Sequence, residues 1–197
     1  LLHDSFDIKR VGSEITDVVI GAAIHAPFPV AGGFLKMPDS SKFPELIEKL
    51  EKIRPQVIRG IKTFFDWKAE LIRNSDYMAL RNDKNFDFID GMIVNSTGLK
   101  VEEAQFHDFY SQAEGYVFSE VYEDYLVGSL ARVNFNKDLL NERTKKDIEQ
   151  YLSVFPSNNV YHNNLAQAIE ILQCVDEAID ILKTLKITEE KFVRKPP

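Results

Sequence analysis

Residues 160–186 read VYHNNLAQAIEILQCVDEAIDILKTLK. Within them Leu165, Ala168, Leu172, Val175, Ile179 and Leu182 follow one another at steps of three and four, with Ile169, Ile171 and Ile181 beside them. Steps of that size put side chains on one face of a helix. A seam this broad belongs to a helix buried in a bundle rather than to an isolated two-stranded coil. The polar cluster Tyr161-His162-Asn163-Asn164 opens the helix and is expected to cap it.

Working outward, the chain offers more of the same period. Asn136 is placed to cap a helix over 137–153, closed by Pro156. Phe43, Leu46, Ile47, Leu50 and Ile53 mark another helix face, which resumes after Pro55 with Val57, Ile58, Ile61, Phe64 and Phe65. Pro55 implies either a kink near Arg54 or a second helix with the proline in its first turn. A helix is expected over 13–26, capped by Ser13 and stopped by Pro27 and Pro29. Tyr77–Asn82 reads as one or two helical turns and 86–94 as a short helix before Gly98. Two further helices follow from the apolar phase of 101–117 and 118–133, which breaks at Gly115. No strand-length alternation competes. The expected fold is all-α, an irregular helical bundle of about six to eight helices, in a single domain over 1–190 with a loose tail over 191–197.

The composition excludes several classes of function. A chain of 197 residues, 44% hydrophobic and 28% charged, is long enough to bury a core and too apolar to be disordered. Its net charge of −7, with no basic run, argues against nucleic acid as a partner. Cys174 is the single cysteine, so no intramolecular disulfide forms, and a cytoplasmic or other reducing compartment fits. The chain opens on Leu1-Leu2 instead of Met, which leaves a cleaved signal peptide or a trimmed start open and secretion with it. Asn95-Ser96-Thr97 matches a glycosylation sequon, a triplet common by chance.

The least ordinary stretch lies between Lys100 and Arg132. It runs 31 residues without Lys or Arg and carries seven acids and seven aromatics. Clustered acids set up a negative field, and exposed aromatics supply anchoring area. The resulting expectation is a non-enzymatic protein that acts by protein–protein interaction with a basic partner. Glu103, Glu114, Glu120, Glu123 and Asp124 would steer, and Tyr110, Tyr116, Tyr122 and Tyr125 would anchor. The alternative for the same residues is that the aromatics form the core and the acids solvate it.

Two other readings come from different features. Residues 18–35, VVIGAAIHAPFPVAGGFL, hold no charged side chain, which reaches the lower edge of a membrane span. Their end, PVAGGFL over 29–35, resembles the apolar turn in the membrane-inserting region of some helical pore-forming toxins, which implies a helical hairpin that inserts on a trigger. The plainer reading buries 18–35 in the core as a helix and a tight turn. Glu103 and His107, at i and i+4 with Glu114 two turns on, suggest a carboxylate–histidine metal enzyme. Di-iron bundles, however, need a second Glu-x-x-His copy that this chain lacks. No cofactor and no metal ligand are therefore assigned. Cys174, with no base nearby in sequence, is expected to be an inert buried thiol. No G-x-S-x-G, P-loop, H-E-x-x-H or C-x-x-C motif occurs.

Overall fold

The computed structural model describes residues 1–30, 33–105 and 125–188, with Tyr125 described in its backbone alone. Five helices of eight residues or more occur among them: α1 (Leu2–Ile20), α2 (Phe43–Asp66), α3 (Ser129–Asn136), α4 (Glu142–Leu152) and α5 (His162–Thr184). Six strands accompany them: β1 (Pro29–Val30), β2 (Gly33–Phe34), β3 (Asp76–Arg81), β4 (Met92–Asn95), β5 (Lys100–Val101) and β6 (Tyr125–Leu126). The all-α expectation is thus corrected to a mixed helix-and-sheet fold. The chain divides into two compact units, Leu1–Gly60 with Cys174–Pro197, and Ile61–Gln173. The division falls inside α2 and inside α5.

In the first unit α1 runs antiparallel to α2. Asp4 accepts from Arg59 at 2.7 Å, Asp7 from Gln56 at 3.2 Å and Glu14 from Lys49 at 2.7 Å, so the α2 number falls by the same step as the α1 number rises. Val11 is the buried residue of α1, and Phe43, Leu46, Leu50, Ile53 and Val57 are those of α2. Arg54 lies on that apolar face and meets Asp176 of α5 in a two-bonded ion pair, 2.7 Å from Nε to Oδ1 and 2.8 Å from Nη2 to Oδ2. The two residues are 5% and 2% exposed. Pro55 neither kinks the chain into a new helix nor ends it. It faces solvent inside one continuous α2, where the flanking buried residues outweigh the lost backbone bond.

Helix α1 begins at Leu2 and not at Ser13, and it stops at Ile20, earlier than the prolines alone suggest. Gly21 takes the left-handed conformation (φ 91°) and its N–H closes on the Asp17 carbonyl at 3.1 Å. A side chain there would also collide with the Phe28 ring, so this cap needs glycine twice over. Beyond it β1 (Pro29–Val30) pairs antiparallel with β2 (Gly33–Phe34). The plainer expectation of burial for 18–35 is not met: Ile24 and Leu35 are strongly exposed and Val30 and Phe34 partly so. Among the described residues no helix is long and apolar enough to cross a membrane.

The second unit is organised by a four-stranded sheet in the order β5-β4-β3-β6, with β3 antiparallel to β4 and parallel to β6. Both segments expected to be helical between 76 and 98 contain its strands. Met78, Ala79, Leu80 and Arg81 all favour helix locally, and pairing with Met92–Asn95 overrides them. Gly91 permits the pairing: its φ is 143°, and a Cβ there would lie 2.7 Å from the Arg81 carbonyl carbon. The turn after β4 consumes the sequon. Asn95 Oδ1 accepts from the backbone of Thr97 and Leu99 and from the Thr97 hydroxyl, while its Nδ2 donates to Asp76 at 2.8 Å.

Helix α3 is tied to β3 by Asn136, whose Nδ2 donates to the Leu80 carbonyl at 2.8 Å, and by Arg81, which donates to the Phe135 carbonyl and pairs with Asp138 at 2.8 Å. Helix α4 is capped by Asn141, not Asn136, after a short 3-10 turn over Lys137–Leu139. The predicted last helix is present as α5. Its seam residues Leu165, Ala168, Ile169 and Leu172 are buried in this unit, and Val175, Ile179 and Leu182 in the first. Cys174 is exposed, contrary to expectation, because it sits one step off that seam. The expected helices over 101–117 and 118–133 lie mostly outside the described residues, and 129–136 alone is the described helix within the second.

The polar cluster opening α5 is structural. Ser157 Oγ lies 2.7 Å from His162 Nδ1 and accepts from the Asn159 N–H at 3.1 Å, and Asn134 bonds both backbone groups of Ser157. Burial pushes the His162 imidazole below its ordinary value of 6.5, the Lys68 charge pushes it the same way, and Glu70 opposes them.

Three outcomes follow from this packing. Leu172→Ala, at a fully buried position, should cost about 2–5 kcal/mol in urea unfolding, whereas Ile181→Ala, at a half-exposed one, should stay within about half a kcal/mol. Arg54→Met, which strands a buried carboxylate, should cost about 3–5 kcal/mol. Replacing Arg54 and Asp176 together by Met and Leu should cost less than that single change, and measured non-additivity checks it. A depressed histidine pKa means that the unfolded chain binds the proton more readily. The His162 contribution is therefore whole above about pH 6.5 and shrinks as pH falls toward the folded value. Unfolding followed from neutral pH down to about pH 5 should show this loss in the wild type, with a flatter profile for His162→Gln.

Candidate functional site

The sheet of the second unit carries two cavities. One, of about 330 Å³, is lined by Met78, Leu80, Phe88, Ile93 and Val127, with Glu103 and Arg132 as its charged groups. The strands supply its floor: residues of β3 and β4 face it, and Gly128 (φ 99°) turns the chain from β6 into α3 so that Arg132 comes one turn into the helix.

Arg132 is held from behind. Its Nε donates to Glu170 Oε1 at 2.6 Å and its Nη2 to Oε2 at 2.9 Å, and Ser129 Oγ donates to the same Oε2 at 2.5 Å. Glu170 of α5 is buried, so its carboxylate exchanges water for three donors. The guanidinium carbon also stands 5.4 Å from the Phe88 ring centroid, within cation–π range. The cavity wall is therefore a neutralised, oriented pair beside apolar side chains. That arrangement suits the packing of an apolar group against a fixed dipole.

The second cavity, of about 580 Å³, is polar, with Arg81, Asp83, Lys84, Asp90, Glu102 and Glu103 around it. The Arg81 guanidinium beside Asp138 holds that carboxyl below its ordinary value of 3.8, and the same contact raises Arg81. Four acids and two bases surround the opening, so its lining is net negative.

Of the residues expected to form a recognition surface, Glu103 is described: it is exposed and lines both cavities. Tyr110, Glu114, Tyr116, Glu120, Tyr122, Glu123 and Asp124 lie outside the described residues, as does the side chain of Tyr125, whose backbone forms β6. His107 lies outside them too. Sequence reasoning passed over Arg132, Glu170, Arg54 and Asp176. A signal was available, because Arg54 and Asp176 interrupt apolar helix faces with opposite charges.

Among the described residues no group of three or more His, Cys, Asp or Glu side chains is placed to hold a metal ion. Transition-metal centres draw on several thiolate or imidazole ligands, and these residues, with one exposed cysteine, do not fit such a centre.

No protein-family model matches the chain. The chain is similar to the alpha subunit of sulfhydrogenase 1 of Pyrococcus furiosus, 25% identical over 183 residues, covering 89% of this chain and 43% of the relative. It is also similar to the alpha subunit of sulfhydrogenase 2 of the same organism, 24% identical over 195 residues, covering 94% of this chain and 44% of the relative. A solved structure of an NAD+-reducing NiFe-hydrogenase in the H2-reduced state matches with a TM-score of 0.67 and 20% identity, covering 92% of this chain and 47% of that one. That likeness shows a shared fold, and it is a mixed helix-and-sheet fold. The chain spans less than half the length of these relatives. Their names as hydrogenase subunits overturn the expectation of a non-enzymatic interaction protein. They also make protein partners the rule among such relatives, while saying nothing of a basic one.

Proposed function

We propose that this chain serves in the alpha-type subunit of a hydrogenase-class oxidoreductase, as part of the protein framework around a redox centre and in contact with other subunits. The observation that carries this reading is the extent of the match. Two alpha subunits align over 89% and 94% of the chain, and nearly the same span follows the fold of a hydrogenase chain at a TM-score of 0.67.

The described residues support a framework role. Arg54–Asp176 and Arg132–Glu170 each bond one helix to another through two parallel hydrogen bonds, which fixes orientation as well as distance. Rigid supporting elements of this kind hold a functional constellation to sub-ångström tolerance. In this reading Arg132, Glu170 and the apolar cavity wall contribute shape and a fixed field beside the redox centre.

The test is to tag the chain in its native source, purify the intact assembly and assay hydrogen-dependent reduction of a viologen dye, with nickel and iron measured in the same preparation. Hydrogen-dependent dye reduction with both metals present is expected. An assembly inert to hydrogen and free of nickel and iron would overturn the reading.

A further inference from the structure

Ser157 and His162 meet in the turn that leads into α5, with Oγ 2.7 Å from Nδ1. Ser157 is 8% exposed, and the Phe155 ring lies tilted beside the imidazole at 6.1 Å between centroids. Oγ already accepts the Asn159 N–H at 3.1 Å, and among the described residues Nδ1 is the one acceptor bonded to the hydroxyl. A serine hydroxyl has a single proton to donate, so the tautomer is fixed. Oγ–H donates to a bare Nδ1, and the ring proton sits on Nε2.

This bond secures more than the turn. Asn159, 7% exposed, is oriented by its N–H bond to Ser157 Oγ. Its side chain then reaches the loop after α2, where Oδ1 accepts from the Leu71 N–H at 3.0 Å and Nδ2 donates to the Ala69 carbonyl at 3.0 Å. Around it the Val160 N–H donates to the Leu71 carbonyl at 2.9 Å and the Arg73 N–H to the Asn158 carbonyl at 2.9 Å. Residues 69–73 are thus held to 158–160 through an asparagine whose own position depends on Ser157.

Protonation of the imidazole reverses the first link. Nδ1 becomes a donor, Oγ receives two N–H groups, and its own proton is left without an acceptor in a buried place, a state that folded proteins avoid. The charged groups that act on the ring are Lys68 and Glu70, both on the loop after α2. Lys68 repels an imidazolium and Glu70 attracts it. Lys137 donates to the Phe155 carbonyl of the same turn. We infer that Ser157, His162 and Asn159 form a proton-operated latch, which holds 69–73 against 158–160 while His162 is neutral and releases that segment when the ring takes a proton. Burial and then Lys68 lower the His162 pKa below its ordinary 6.5 in the latched form. That form binds the proton less readily than the open one, so falling pH favours release. The latch lies wholly within this chain and stands apart from the hydrogenase reading.

The tagged full chain, purified from its native source, is compared at about pH 7 and about pH 5 by hydrogen exchange, each amide corrected for its intrinsic rate. Peptides covering 69–73 and 158–160 should lose at least about threefold in protection at the lower pH, while the α5 seam from Leu165 to Leu172 keeps its own. In His162→Asn, whose side-chain oxygen takes the place of Nδ1 and does not titrate, the pH response should disappear. Equal protection of both segments at the two pH values overturns the inference. So does a loss shared equally by the α5 seam, which is global unfolding. A response that survives in folded His162→Asn also overturns it, by assigning the response to another group. If that variant does not fold, Ser157→Ala replaces it. Weak protection at both pH values then supports the latch, and a wild-type response sinks it. If neither variant folds, the wild-type contrast between the two segments and the α5 seam decides alone.

Discussion

The first unit depends on one buried ion pair. Arg54 and Asp176 are each almost wholly withdrawn from water, and a charge so placed is tolerated when an opposite charge meets it in good geometry. The two-bonded arrangement provides that geometry, and it ties the middle of α2 to α5 at one rotation and one height. Such a pair adds little net stability compared with apolar residues of the same volume. Its effect is to make other registers of the two helices costly, because any slip leaves a bare charge inside. The polar ladder between α1 and α2 then repeats the register cue at the surface, where each contact contributes little by itself.

The second unit uses the same device beside a sheet. Glu170 gathers Arg132 and Ser129 from the first turn of α3, and Asn136 and Arg81 fasten the other end of that helix to β3. Helix α3 is short, too short to hold itself in isolation, and is pinned at both ends by side chains from other elements.

Much of the helical part was legible in the sequence. The seam from Leu165 to Leu182 announced α5 almost to the residue, and the spacing from Phe43 to Ile61 announced α2. The sheet was not legible, for a physical reason. Strand β3 is built from Asp, Tyr, Met, Ala, Leu and Arg, of which Tyr alone has a strand preference, and its pairing with β6 joins residues 49 positions apart. Only tertiary context makes such a segment extended. The acidic-aromatic stretch drew attention by composition, whereas the described pairs that organise both units are single charges hidden in apolar helix faces.

The turn at Asn95 has a chemical corollary. An asparagine ages when the next residue's backbone nitrogen attacks its side-chain carbonyl carbon, closing a succinimide that opens to aspartate or isoaspartate. Here the Ser96 nitrogen is engaged by the Tyr77 carbonyl and by Asp76, and the Asn95 amide is gripped at both its oxygen and its nitrogen. Neither group is free to swing toward the other. The same bonds that spend the sequon on a turn therefore oppose spontaneous deamidation at this position, and the end of β4 keeps its neutral side chain while the turn stays folded.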